Sequence, residues 1–110
     1  MEEDNPRMAA LRRGMLEPLV LASLEAAQRY PAEVVVVLRG AGFPVQEGTL
    51  YPLLAKLRRE ELVSHEWRES PTGPPRKYFN LTSAGEEQLA AFREYWTALT
   101  QMIERIGRQP

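Results

Sequence analysis

The period of the apolar residues changes twice along this chain, and that change restricts its fold more than any single residue does. Leu50, Leu53, Leu54 and Leu57 recur at i, i+3, i+4 and i+7, which commits one side of a helix to a core. Beyond it Val63, His65 and Trp67 alternate with Ser64, Glu66 and Arg68, and a second run from Arg76 to Leu81 alternates again, as half-buried strands do. Ser70-Pro71-Thr72-Gly73-Pro74-Pro75 joins the two runs as the stiff tip of a hairpin. Helical spacing then returns. Thr82 or Ser83 caps a long helix reaching about Ile106, and Glu86, three residues after Ser83, completes a capping box.

Upstream, residues 1–10 carry Glu2, Glu3, Asp4 and Pro6 without apolar periodicity and read as a flexible N-terminal arm. Leu16, Leu19, Val20, Leu24 and Ala27 give a helical stripe between Leu11 and Arg29. Pro18 is tolerable only near a first turn, which puts the start of that helix near Met15. Pro31 suits the first residue of a second helix, which runs through Val34 to Val37 until Gly40 or Gly42 stops it. By local propensity alone the four valines also suit a buried strand, the lesser alternative to the helix. Pro44 and Gln46 to Thr49 turn into the leucine-striped third helix, which ends near Glu60. The expected fold is mainly α with a small β-hairpin: a winged helix-turn-helix over residues 11–81 and a long C-terminal dimerisation helix over 82–110.

With 110 residues and 44% hydrophobic content, the chain suits one domain with a modest core. It has no cysteine, no secretion signal, and no apolar run longer than Val34 to Leu38, so we expect a cytoplasmic protein without membrane contact. The sole histidine, His65, stands in an alternating strand, and neither metal-ligand spacing nor a nucleophile beside a base is present; we expect no enzyme, metal or cofactor. The 14 Lys and Arg are balanced by 15 Asp and Glu, so nucleic-acid binding cannot rest on overall basicity and must come from placement.

Turning the third-helix leucines inward, at about 100° per residue, turns Gly48, Pro52, Ala55 and Arg59 outward. Thr49 and Lys56 then lie on one flank, Tyr51 and Arg58 on the other. Small residues allow close approach to a duplex, hydroxyls can reach phosphate or base edges, and Lys56, Arg58 and Arg59 supply charge. Gly73 permits the hairpin turn, and Arg76 and Lys77 stand where a wing lays positive charge on the backbone. A merely solvated basic face and an ordinary exposed hairpin would carry the same residues. Trp67, Tyr78 and Phe79 are expected in the core.

Glu47-Gly48-Thr49-Leu50-Tyr51-Pro52-Leu53-Leu54-Ala55-Lys56-Leu57, followed by Leu62-Val63, resembles the recognition helix of PadR-family regulators. Gly73 and Arg76 through Gly85 are similar to the wing of that family and the start of its last helix, in the same order and separation. The resemblance covers roughly residues 10–106. It implies a homodimeric repressor on a palindromic double-stranded DNA operator, often responsive to small aromatic or drug-like molecules. Three departures stand out. Arg29-Tyr30-Pro31-Ala32-Glu33 replaces a His-Gly-Tyr-Glu type segment, so contacts made there by relatives do not transfer. Glu61 occupies the usual glycine position after the third helix, where a left-handed cap costs about 1 kcal/mol. Pro74-Pro75 makes the wing stiffer and less charged.

Leu89, Phe92, Trp96, Leu99, Ile103 and Ile106 are spaced as an a/d seam, which must bury itself against the chain's own first helix, a second copy or both, with dimerisation the favoured expectation. Trp96 matches the tryptophan that multidrug-sensing relatives use to sandwich planar aromatic ligands; filling the seam is the plainer role. The rival to a DNA-binding regulator is a winged helix serving as a protein-interaction module without DNA, which the sequence pI of 5.9 tolerates.

Overall fold

A computed structural model describes residues 5–110. The elements run α1 (Pro6–Ser23), α2 (Pro31–Gly40), α3 (Glu47–Arg59), β1 (Val63–Ser70), β2 (Gly73–Leu81) and α4 (Ser83–Gly107). This is the mainly helical arrangement with a small hairpin that the changing period predicts.

The first helix departs from expectation at both ends. It begins at Pro6, not near Met15, because the Asn5 side chain accepts a hydrogen bond from the Arg7 N–H at 3.0 Å and Pro6 occupies the first turn, where its missing donor costs nothing. Residues 6–10 of the expected arm are therefore helical; residues 1–4 lie outside the described residues. Pro18 sits inside the helix and is buried. It removes one backbone bond, but Val20, Leu21 and Leu24 carry this segment into the core, and their burial outweighs that loss. The helix stops at Ser23, so Ala27 falls beyond it and is exposed.

The valine cluster is helical. Val34, Val35 and Leu38 share a buried side while Val36 is 69% exposed, a pattern only the helical period satisfies. Tertiary burial thus overrides β-propensity. Gly42 ends α2 with φ of 96°, and the Phe43 N–H returns to the Leu38 carbonyl at 2.9 Å.

The same capping geometry ends α3 without a glycine. Glu61 has φ of 61°, its N–H donates to the Arg58 carbonyl, and the Leu62 N–H donates to the Leu57 carbonyl, each at 3.0 Å. Glu61→Gly is expected to stabilise the fold by about 1 kcal/mol, read as a higher denaturant midpoint with unchanged m-value.

The α3 end is tied directly to α4. Thr82 Oγ1 donates to the Glu61 carbonyl at 2.7 Å and accepts from the Gly85 N–H at 3.0 Å. Thr82 is thus the cap and Gly85, not Glu86, holds the third helical position, so the expected Ser83–Glu86 capping box does not form.

The strands are antiparallel, with Val63 opposite Leu81 and Arg68 opposite Arg76, and the register slips between Arg68 and Ser70. The turn is shorter than the expected six-residue tip. Pro71 and Thr72 alone separate the strands, and Pro74 and Pro75 lie within β2, near its free end, where absent donors are tolerated. Farther in, Arg29 pairs with Phe79 through two backbone bonds of 2.8 and 3.0 Å, tying the approach to α2 onto the hairpin. Val20, Leu21, Val34, Leu38, Leu50, Leu54, Leu57, Val63, Phe79 and Leu89 form the centre of one core.

Candidate nucleic-acid interface

Burying Leu50, Leu54 and Leu57 leaves Gly48, Thr49, Tyr51, Pro52, Ala55, Lys56, Arg58 and Arg59 exposed on α3. The outward ridge is Gly48, Pro52, Ala55 and Arg59, as the helical period predicts. Its two flanks meet different neighbours. Lys56 turns toward α1, with Nζ 3.3 Å from Glu17 and 4.0 Å from Glu60. Tyr51 and Arg58 turn toward the hairpin.

On the hairpin side a cleft of about 660 Å3 opens between α3, the start of α2 and the inner face of the strands. It gathers Tyr51, Ala55, Arg58 and Arg59 from α3, His65, Trp67 and Lys77 from the hairpin, and Tyr30 and Pro31 from α2, with Arg76 also reaching it. Among the described residues, four cations and a single carboxylate, Glu47, line this space, so placement supplies the positive potential that composition does not. Of the expected DNA contacts, Tyr51, Arg59, Arg76 and Lys77 meet here. Gly48, Pro52 and Lys56 lie outside the cleft on the exposed side of α3, Thr49 lies nearer α1, and Gly73 stands at the exposed hairpin turn.

Several side chains are held in place by their neighbours. Tyr51 donates its hydroxyl hydrogen bond to the Glu47 carboxylate one turn earlier, and that bond holds its pKa above the ordinary value. The Arg76 guanidinium lies 4.5 Å from the Tyr30 ring centroid, and Arg68 lies 4.6 Å from that of Tyr78. Tyr30 and Tyr78 meet edge to face at 5.2 Å. This stack lets two arginines stand opposite each other across the hairpin despite their like charge.

Trp67 corrects the sequence expectation. It is 63% exposed, with Lys77 Nζ 5.2 Å from its ring centroid, whereas Phe79 is buried and Tyr78 half-buried. The hairpin leaves the core as it extends: Val63 is 2% exposed, and Trp67, two inward-facing positions farther out, has passed the reach of the α3 leucines. Alternation identifies the face but not where the core beneath it ends. Tyr30 and His65 also belong to the cleft and were not among the expected contacts.

The His65 Nδ1 is shut off from solvent without a hydrogen-bond partner, and its ring lies 5.6 Å from Phe79. Burial, then the positive charges of Arg58 and Lys77, hold the imidazole below its ordinary pKa. A histidine depressed in this way contributes stability that is present above its unfolded pKa, about 6.5, and lost as pH falls through the folded value. His65→Gln is therefore expected to flatten the loss of unfolding free energy on acidification below about pH 6.5, measured by denaturant titration.

The α4 seam divides along its length. Leu89 is 2% exposed in the chain's own core and so is not available to a second copy or a ligand, contrary to expectation. Gly85 brings the first turn of α4 against Leu62, which drives Leu89 inward. Farther along, Phe92 and Trp96 stack with centroids 6.2 Å apart, Leu99 is half-buried, and Trp96, Ile103 and Ile106 are 42%, 64% and 70% exposed. Arg93 clasps Glu25 with bonds of 2.8 and 2.9 Å, anchoring this helix beside the end of α1. Among the described residues, no helix is long and apolar enough to cross a membrane.

Known proteins share this arrangement. A PadR-like transcription factor from Bacteroides fragilis is 39% identical over 91% of this chain and 97% of its own length, with a TM-score of 0.80. A Streptococcus transcriptional regulator is 43% identical over 89% of this chain and 97% of its own, with a TM-score of 0.78. Bacillus subtilis PadR, solved in complex with operator DNA, shares the fold at a TM-score of 0.66 and 20% identity, over 71% of this chain and 45% of that one. Residues 20–91 match the transcriptional regulator PadR-like family, and the chain belongs to that family, which bears out the expectation of a regulator in place of an enzyme.

Proposed function

We propose that the chain is a sequence-specific DNA-binding regulator that works as a homodimer on a palindromic operator. The observation that carries this reading is the basic cleft beside the small-residue ridge of α3. A helix with Gly48 and Ala55 on its outer side can approach base edges closely, and Arg58, Arg59, Arg76 and Lys77 meet the adjoining phosphates. That Bacillus subtilis PadR, which shares this fold, was solved with operator DNA supports DNA as the partner.

Dimerisation is supported by Trp96, Ile103 and Ile106, a continuous apolar stripe that the chain itself leaves uncovered. Pairing two copies along it brings two α3 helices to half-sites about one helical turn apart. We further read the protein as a repressor relieved by a planar aromatic or drug-like compound stacking on Trp96. Because Trp67 is also exposed, the ligand titration belongs in a Trp67→Phe background, where Trp96 is the only fluorescent indole. A flat response to a broad panel of planar cationic and phenolic compounds would remove the ligand from the reading.

Selection of bound sequences from random duplexes tests the core of the proposal. Enrichment of a palindrome is expected, together with affinity that falls steeply with salt. Ile103→Lys with Ile106→Lys is expected to yield monomers by sedimentation and to weaken binding to the full palindrome. No enrichment and no salt dependence would leave the protein-interaction module as the function.

A further inference from the structure

The flank of α3 that turns away from the hairpin faces a second basic wall. Near the N-terminal end of α3 lies a furrow of about 590 Å3 lined by Arg12, Arg13 and Arg39 together with Thr49 and Gln46. Among the described residues lining it there is no carboxylate, in contrast to Glu47 in the hairpin-side cleft. Arg13 is exposed on α1. Arg39 is fixed by its own backbone contact: Nε donates to the Val45 carbonyl at 3.0 Å, which holds the guanidinium over the turn into α3 and leaves its terminal N–H groups for another acceptor.

We propose that this furrow binds the sugar-phosphate strand on the side of the major groove opposite the wing, so that α3 is bracketed by cations on both flanks. The inference rests on the DNA-binding reading above and extends it to α1 and the end of α2. A major groove about 12 Å wide is bounded by two phosphate strands, and a helix roughly 10–12 Å across fills it. Whatever flanks the helix then meets phosphate on each side. Here the hairpin side offers Arg58, Arg59, Arg76 and Lys77, and the α1 side offers Arg13 and Arg39. A chain of net charge -1 thus offers six of its 14 Lys and Arg from the two walls of one helix. Thr49 joins the furrow to the exposed face of α3, so the surface is continuous with the reading ridge.

The test is a salt titration of binding to the duplex recovered by selection, and to a random duplex, for the full chain and its variants. Arg13→Gln with Arg39→Gln is expected to reduce the slope of log affinity against log salt by about 2, on both duplexes. The loss should add to that of Arg76→Ala with Lys77→Ala, because the two walls lie on opposite flanks of α3. Arg39→Lys keeps the charge and disrupts the Nε bond to Val45, so a slope near the parent value is expected. Arg105→Gln, toward the far end of α4, should leave the slope unchanged. An unaltered slope in the Arg13 and Arg39 double variant, while the wing variant lowers it, overturns the second wall. A slope lowered as far by Arg39→Lys as by Arg39→Gln would make Arg39 a loop anchor and also overturn its phosphate role. Failure of the parent protein to bind any duplex would instead overturn the DNA-binding reading, and this inference with it.

Discussion

Gly85→Ala is expected to lower the thermal midpoint by roughly 10–20 °C, corresponding to about 3 kcal/mol for a domain of this size. A Cβ at this position would stand 2.1 Å from the Leu62 carbonyl oxygen and 3.0 Å from Leu81 Cδ2. The first of these contacts is backbone and cannot be relieved by a rotamer change, so either the α3 cap or the first turn of α4 must move. Both are joined through Thr82, whose hydroxyl bridges the Glu61 carbonyl and the Gly85 N–H. The displacement would also lift Leu89 from the core. Gly14 provides the contrast: a Cβ there meets nothing within 4 Å, so Gly14→Ala on α1 should stabilise by about 0.5–1 kcal/mol through helix propensity alone. Calorimetry of the two variants at one protein concentration checks both values. Equal midpoints would mean that α4 does not approach Leu62 as closely as this geometry places it.

Arg76→Ala with Lys77→Ala carries the largest expected effect on DNA binding. Removing two phosphate contacts reduces the salt slope by about 2, which amounts to roughly 10- to 100-fold weaker binding near 0.1 M salt. The substitutions also remove Arg76 from Tyr30 and Lys77 from Trp67, so the wing loses packing as well as charge. Arg76→Gln with Lys77→Gln retains part of each stem and should show nearly the same slope, since the slope counts charges and not ring contacts. Fluorescence anisotropy of a labelled duplex over a range of salt reads this directly. A parent-like slope in both pairs would show that the hairpin does not lie against phosphate.

The order of elements was written in the changing apolar period, and the exposed ridge of α3 followed from its leucines, because periodicity is a local property of the chain. The left-handed residue at Glu61 was legible only through the family resemblance, which expects a glycine at that position; apolar spacing marks where α3 ends but not the backbone conformation of its cap. The seam from Leu89 to Ile106 shows the limit. Its spacing is regular throughout, yet Leu89 is buried within the chain and Ile106 lies 70% exposed, because the core ends between them. Trp67 fails in the same way on the hairpin, and α1 starts early because Asn5 caps it, a contact that apolar spacing does not record.

The sequence by itself therefore determined which face each element presents and in what order the elements come. The tertiary structure alone decided where the core stops, and so which apolar residues are left over for a second copy or a ligand. It also decided which cations share a wall. Arg58 and Lys77 are distant in sequence, as are Arg13 and Arg39, and charges sum in space and not along the chain. A nearly neutral composition could hide two basic walls because, among the described residues, Glu47 is the one carboxylate that lines either of them.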